Sequence, residues 1–315
     1  MPGPNVTAPA IRKPPRIRSG DVVAVVAPSG AVNADRLALG VRVLERWGLE
    51  VRLGAGVLER RAYLAGHDDE RRSDLERMIG DPAVRAVFCA RGGYGSQRLV
   101  PSLDLGPLAR APKPIVGYSD VTALLAAVVS AGVVGFHGPM VADDLARGLS
   151  LRAETHLRAL LTDPAYRWEA EVPVTVRPGR ATGRLLGGCL SVLVTTLGTP
   201  YAPDTDGAIL FLEDVREGPY RLDRLLTQMA QAGKLTRLAG LVFGTMASCP
   251  TVDGYGPLDV VRACCAELAC PVGFGLPAGH DVGGPGVLNL ALPLGVEVEL
   301  DTSRGRLAAL DSAVV

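Results

Sequence analysis

The chain carries no excess of charge: Lys plus Arg number 33 and Asp plus Glu number 33. A protein without a net field has no long-range attraction to nucleic acid or to an anionic membrane, so neither is expected as a partner. The basic residues from Arg12 to Arg18 are confined to the amino-terminal arm and read as a solvated tail. Also missing is any apolar window of about 18 residues, the length a membrane-spanning helix needs. The opening segment lacks the continuous apolar stretch of a secretory leader, and its five prolines imply an extended arm over residues 1–18. These absences point to a soluble, cytoplasmic protein.

Cysteine forms no pattern. Cys89 and Cys189 lie in apolar runs, Cys264 and Cys265 are adjacent, and Cys249 and Cys270 stand apart. That is neither a disulfide framework nor a C-x-x-C metal knuckle, so all six read as structural. No G-x-x-x-x-G-K-[ST] phosphate loop or G-x-G-x-x-G fingerprint occurs. Histidine is scarce, with only His67, His137, His156 and His280 available for acid–base chemistry.

What remains is an ordinary globular balance, 48% apolar and 21% charged, in 315 residues. That length exceeds the ~250–300 residues at which single cores tend to divide. The first half alternates β-branched runs (21–27, 50–53, 84–90, 114–117) with helical patterns (35–47, 69–79, 121–129, 151–161). Such alternation predicts a parallel sheet covered by helices on both faces. Beyond it, 166–180 is polar and proline-punctuated, and is expected to link residues 19–165 to a second domain at 181–315. There the runs 208–213, 240–245, 287–292 and 296–301 predict strands, with helices over 219–232 and 258–268. The fold class is therefore α/β, with a mixed α/β carboxyl-terminal domain.

Three segments bear chemistry. In Pro114-Ile-Val-Gly-Tyr-Ser-Asp-Val-Thr-Ala-Leu-Leu125 a strand, a tight turn with Ser119, and a helix follow one another, as in a nucleophile elbow. Val121 stands where the usual G-x-S-x-G has its second glycine, and Ser119 or Asp120 can equally be a plain helix cap. If Ser119 is a nucleophile, its base is His137 or His280, because His67 and His156 read as solvent-facing. The strand Ala208-Ile-Leu-Phe-Leu-Glu-Asp-Val215 ends in two carboxylates, Glu213 and Asp214, either of which can orient an imidazole. Arg91-Gly-Gly-Tyr-Gly95 lets backbone N–H groups approach a ligand and donate to an oxyanion together with Asp120 N–H.

At these residues the chain resembles the LD-carboxypeptidase family of serine peptidases, of muramoyltetrapeptide carboxypeptidase and microcin-immunity type. The resemblance rests on Val26-Ala-Pro-Ser-Gly30, Arg91-Gly-Gly-Tyr-Gly95, Gly117-Tyr-Ser-Asp120, Phe136-His-Gly-Pro139, Gly187-Gly-Cys-Leu190, Phe211-Leu-Glu-Asp214, Pro219-Tyr-Arg-Leu-Asp-Arg224, Gly279-His280 and Leu292-Pro-Leu-Gly295. It implies a flavodoxin-like parallel-sheet amino-terminal domain and a smaller mixed α/β carboxyl-terminal domain. It also implies Ser119 as nucleophile, His280 as base and Glu213 as its partner, with Asp120 and either Gly92 or Gly93 forming the oxyanion hole. Arg91, Tyr118, His137 and Arg184 are then the candidates for holding substrate. The resemblance implies a homodimer that needs no metal and no cofactor, acting on a murein tetrapeptide or, alternatively, an aminoacyl-nucleotide conjugate. No aromatic-rich insertion suited to stacking a nucleobase separates Glu213 from His280, which favours the peptide. A non-catalytic peptide-binding protein on the same scaffold is the reading from another class.

Overall fold

Five short runs of the first half, β1 (Val22–Val26), β2 (Glu50–Leu53), β3 (Val84–Cys89), β4 (Ile115–Gly117) and β5 (Gly135–His137), pair in parallel in the order β2-β1-β3-β4-β5. This is the flavodoxin strand order. The computed structural model describes residues 10–315, so residues 1–9 of the expected arm lie outside the described residues. Helices α1 (Ala34–Arg46), α2 (Asp68–Gly80), α3 (Gly106–Arg110), α4 (Thr122–Ser130) and α5 (Leu151–Thr162) cover the sheet. β3 and β4 are buried at all but one position, as strands with both faces covered must be. On α1 the inward positions Leu37, Gly40, Val43 and Leu44 recur at helical spacing, and Asn33 caps the first turn by accepting Arg36 N–H at 3.0 Å. After β3 the chain makes two tight helical turns, Ser96–Arg98 and Val100–Ser102.

The strand order decides where a ligand can enter. From β1 the chain turns to β2 on one side and returns to β3 on the other. The loops leaving β1 and β3 therefore diverge and open a crevice at the carboxyl edge of the sheet.

In the second half β6 (Glu169–Glu171), β7 (Val174–Arg177), β8 (Arg180–Cys189), β9 (Ile209–Val215), β10 (Gly240–Ala247) and β11 (Val272–Phe274) join β13 (Glu297–Asp301) and β14 (Arg306–Ala309). They form one sheet of order β6-β14-β13-β8-β9-β10-β11-β7, with β8 to β11 parallel and the flanking strands antiparallel. Helices α6 (Leu190–Thr195), α7 (Pro219–Gln231) and α8 (Pro257–Cys264) cover its far face. Segment 166–180 is thus not a linker: it supplies the strands at the two opposite edges of this sheet. Its polar character comes from edge strands with one wet face, while Trp168, Ala170 and Val172 are buried.

A second correction concerns residues 287–292. Only β12 (Leu292–Leu294) is a strand, and it pairs antiparallel with β5, on the first sheet. Of residues 287–291 only Val287 is paired, in a single bridge to Leu149; Val287, Leu290 and Ala291 read as a strand because this loop is buried, with Asn289 buried among them. A third concerns His156, expected to face solvent. It lies on the inward face of α5 with Ala153, Leu157 and Leu160, and its Nε2 is 2.7 Å from Ala291 O. Burial lowers its pKa to about 4.

One apolar core joins the first sheet to the near face of the second through Leu185, Ile209, Phe211 and Val242; another fills the far face around Leu210, Leu212, Leu222 and Leu226. Residues therefore alternate along β9, Ile209 and Phe211 near, Leu210 and Leu212 far. The same period sends Glu213 to the near side, towards the first sheet, and Asp214 to the far side. Among the described residues no helix is long and apolar enough to cross a membrane.

Candidate active site

Strand β4 ends at Gly117 and the chain turns sharply into α4. Ser119 occupies the left-handed region at φ 61°, uncommon for a residue with a Cβ and the kind of local strain that collects at functional sites. The absent second glycine now has a physical account. Val121 lies buried beneath the turn, and a Cβ on Gly117 would stand 2.9 Å from Val121 Cγ1, so glycine at 117 makes the room instead. The turn thrusts the Ser119 hydroxyl up from the sheet edge.

Two other elements meet it there. His280 Nε2 is 3.0 Å from Ser119 Oγ, and His280 Nδ1 is 2.6 Å from Glu213 Oε2. The His280 main-chain N–H also donates to Glu213 Oε2, at 3.0 Å. Gly279 permits this double contact: it adopts φ 110°, and a side chain there would place Cβ 2.6 Å from the same carboxylate oxygen. Asn289 Oδ1 holds the loop by accepting Gly279 N–H at 2.9 Å. Asp214, the other carboxylate, faces away and caps α6 through Ser191 N–H at 2.8 Å. The alternatives left by the sequence thus separate in space, with His280 and Glu213 at Ser119 and Asp214 serving a helix.

The electrostatics favour a charged pair. Burial alone would raise the Glu213 pKa, but the His280 hydrogen bonds and charge outweigh it and the net shift is downward. Burial would likewise lower the pKa of His280, yet Glu213, with Asp214 and Asp144 at longer range, carries it above the usual 6.5. An ionised Glu213 accepts from Nδ1–H in either state of the ring, and in the neutral imidazole present above the His280 pKa this leaves the Nε2 lone pair facing the hydroxyl.

Gly92, at the carboxyl end of β3, comes closest to Ser119 from the other side. A Cβ at this position would lie 2.8 Å from Ser119 Cβ, 2.9 Å from Ser119 Oγ and 3.5 Å from Asp120 N. Gly93 instead faces Gly30 at 3.4 Å. The Asp120 side chain ties the loops together, accepting from Ser29 Oγ at 2.6 Å after β1 and from Ser96 N–H at 2.8 Å after β3. This is the crevice the strand order predicted.

The substrate-holding candidates divide. Arg91 stays exposed at the crevice rim and donates to Ala31 O at 3.0 Å. Tyr118 is buried, its ring edge-on to His280 with centroids 4.9 Å apart and its hydroxyl on Asp144 at 3.2 Å. His137 is fully buried against Tyr118 and Phe211, and burial lowers its pKa to about 4. Neither has surface to present to a ligand, because the apolar strand ends that carry them pack inward. Arg184 lies five residues up β8 from Cys189, the residue paired with Glu213, hence about 16 Å from the site along the strand. Its guanidinium is instead 3.9 Å from Glu297.

Read against known proteins, the sequence matches the LD-carboxypeptidase N-terminal domain over residues 23–138 and the LD-carboxypeptidase C-terminal domain over residues 182–300. The chain belongs to the LD-carboxypeptidase family. The murein tetrapeptide carboxypeptidase of Pseudomonas aeruginosa is 36% identical over 296 residues, covering 90% of this chain and 94% of the relative. Among solved structures, muramoyltetrapeptide carboxypeptidase from Oxalobacter formigenes superposes with a TM-score of 0.84 at 33% identity, over 92% of this chain and 99% of that one. The structure of MccF in complex with glutamyl sulfamoyl guanosine gives a TM-score of 0.88 at 22% identity, over 96% and 99%, a likeness of fold. This LD-carboxypeptidase is accordingly a peptidase, with the two-domain α/β architecture that the sequence implied.

Sequence reasoning missed Asp144 and Arg147 near the site, because a charged run such as Asp143-Asp144 ordinarily marks a solvated surface. Only its position just after Phe136-His-Gly-Pro139 was a signal.

Proposed function

We propose that this peptidase is a serine L,D-carboxypeptidase that releases the terminal D-alanine of a murein tetrapeptide, as a cytoplasmic homodimer. The observation that supports it most is the continuous Ser119–His280–Glu213 hydrogen-bond chain beside a glycine loop. His280 takes the Ser119 proton as the hydroxyl attacks the amide carbon, and Glu213 stabilises the imidazolium that forms. The tetrahedral oxyanion accepts from Asp120 N–H and the Gly92 N–H, Gly92 being favoured over Gly93 by its proximity to Oγ. His280 then protonates the departing D-alanine amine, leaving an acyl-enzyme, and next activates water to hydrolyse it. Arg91, exposed at the rim, receives the substrate's terminal carboxylate.

Incubation with a murein tetrapeptide and with an aminoacyl-nucleotide conjugate, followed by mass spectrometry, tests the substrate. D-alanine is expected from the first; turnover of the conjugate alone would replace the reading.

Two further outcomes are expected. Because imidazolium cannot accept the serine proton, kcat/KM should fall as pH drops through the His280 pKa. That pKa is raised above 6.5, so the acid limb lies on the neutral side of an ordinary histidine limb. A limb below pH 6.5 in a rate–pH profile would contradict the charged pair. Arg91→Ala should raise KM about tenfold with little change in kcat, since a charge-assisted hydrogen bond to a carboxylate contributes about 1.5 kcal/mol.

A further inference from the structure

Between β5 and α5 the chain makes a wide π-type turn, Val141–Leu145, a rare conformation frequent at functional sites. Its main chain is anchored to the end of β3, Ala142 N–H donating to Ala90 O at 2.7 Å. Asp144, in this turn, is a fully buried carboxylate whose retention needs a reason. Its Oδ2 accepts Met140 N–H at 3.0 Å, after β5. Its Oδ1 accepts from Tyr118 Oη at 3.2 Å and from Arg147 Nη2 at 2.9 Å. Tyr118 immediately precedes Ser119. Arg147 reaches into the other half of the chain, donating to Asp281 O at 2.6 Å and to Gly283 O at 2.8 Å, immediately after His280. The Asp281 carboxylate closes that loop by accepting Gly283 N–H at 2.7 Å and Leu288 N–H at 3.0 Å.

One buried carboxylate thus grips the turn that carries the hydroxyl and, through one guanidinium, the loop that carries the imidazole. We propose that Asp144 and Arg147 are positioning residues that hold Ser119 and His280, supplied by the two halves of the chain, in one reactive register. The inference rests on Ser119 and His280 being nucleophile and base. Neither Asp144 nor Arg147 touches the reacting atoms. Their effect is geometric, and displacing a reacting pair by about 1 Å costs on the order of 10²-fold in rate.

Asp144 also contributes charge. His280 is faced by Glu213, Asp214 and Asp144, by the Tyr118 ring, by Ser119 and by His137. Asp144 in turn is faced by Tyr118, Asp143, Arg147 and the Met140 N–H. Burial first, with Asp143, raises the Asp144 pKa to about 6, so it is anionic at neutral pH and favours the imidazolium of His280.

The test measures the rate at which a fluorophosphonate probe labels Ser119, mapped by mass spectrometry, across pH in the full-length protein. Arg147→Ala and Asp144→Asn are compared with the parent, with Tm recorded for each. Arg147→Ala should lower the plateau labelling rate about 10- to 100-fold, and Arg147→Lys should restore it only in part, because a single ammonium cannot span the carboxylate and both carbonyls. Asp144→Asn should lower the plateau and also move the acid limb to lower pH, a displacement that a merely structural loss would not produce. Should Arg147→Ala fail to fold, Asp144→Asn, which keeps the shape of the side chain, decides. Folded variants with parental rates, or a lowered plateau with an unmoved limb in Asp144→Asn, overturn the proposal. A parent that labels well but not at Ser119 instead overturns the nucleophile assignment on which it rests.

Discussion

Ser119→Ala is expected to lower kcat for D-alanine release by on the order of 10⁴- to 10⁶-fold and to leave the fold intact. The size follows from what the hydroxyl does in the proposed mechanism. Without Oγ no acyl-enzyme forms, and His280 has no proton to take at 3.0 Å. The oxyanion donors and the bound substrate still act on a water attack, which is why the residual rate stays above that of water. His280→Ala should match it within about tenfold and the double variant should be no worse, because residues acting as one unit are not additive. Steady-state release of D-alanine by purified, folded variants is the measurement. A Ser119→Ala enzyme within tenfold of the parent would remove the nucleophile from the mechanism.

Stability separates this loss from misfolding. Ser119 sits at φ 61°, where a residue with a Cβ is strained and glycine is not. Ser119→Gly should therefore be as inactive as Ser119→Ala yet more stable than it by about 1 kcal/mol, read as a higher midpoint of urea unfolding. Two variants equally inactive but different in stability do not owe their inactivity to unfolding.

The parts legible in the sequence are those in which one local pattern has one structural meaning. Val22–Val26 and Val84–Cys89 read as strands because a sheet covered on both faces needs near-continuous apolar runs, interrupted here only by Arg85. The amphipathic stretch 35–47 read as a helix for a similar reason, though which of Asn33 and Asp35 caps it was settled only by the structure, in favour of Asn33. Edge strands β6 and β7 were hidden because three or four residues with one wet face carry too little pattern to differ from a loop. β12 was misplaced for another cause, since local sequence does not encode which sheet a strand joins, and Pro293 there is tolerated only because the strand lies at an edge. The choice between Glu213 and Asp214 hung on parity along β9, which is set by the core on either side and not by the dipeptide. The same limit explains Tyr118 and His137. Beside a candidate nucleophile they read as ligand contacts, and only packing reveals that they wall the site from behind.

Gly92→Ala is expected to reduce kcat by about 10²- to 10³-fold, comparable with removing one oxyanion donor, while the protein still folds. Gly92 is not among the glycines at positive φ, so alanine costs the backbone no left-handed strain. The damage is confined to space. The new Cβ would fall 2.8 Å from Ser119 Cβ and 2.9 Å from Oγ, closer than unbonded carbon atoms approach, so either the serine rotamer or the glycine loop must move. Rotation of Ser119 breaks its 3.0 Å contact with His280, and retreat of the loop withdraws the N–H from the oxyanion. Gly93→Ala provides the contrast. Gly93 adopts φ 109° and faces Gly30, so alanine there should lower Tm while damaging turnover less than Gly92→Ala. Parallel measurement of kcat and Tm distinguishes the two glycines. If Gly93→Ala proved the more inactive while as stable as the parent, the oxyanion would belong to Gly93 and the close approach of Gly92 to Ser119 would be only a matter of packing.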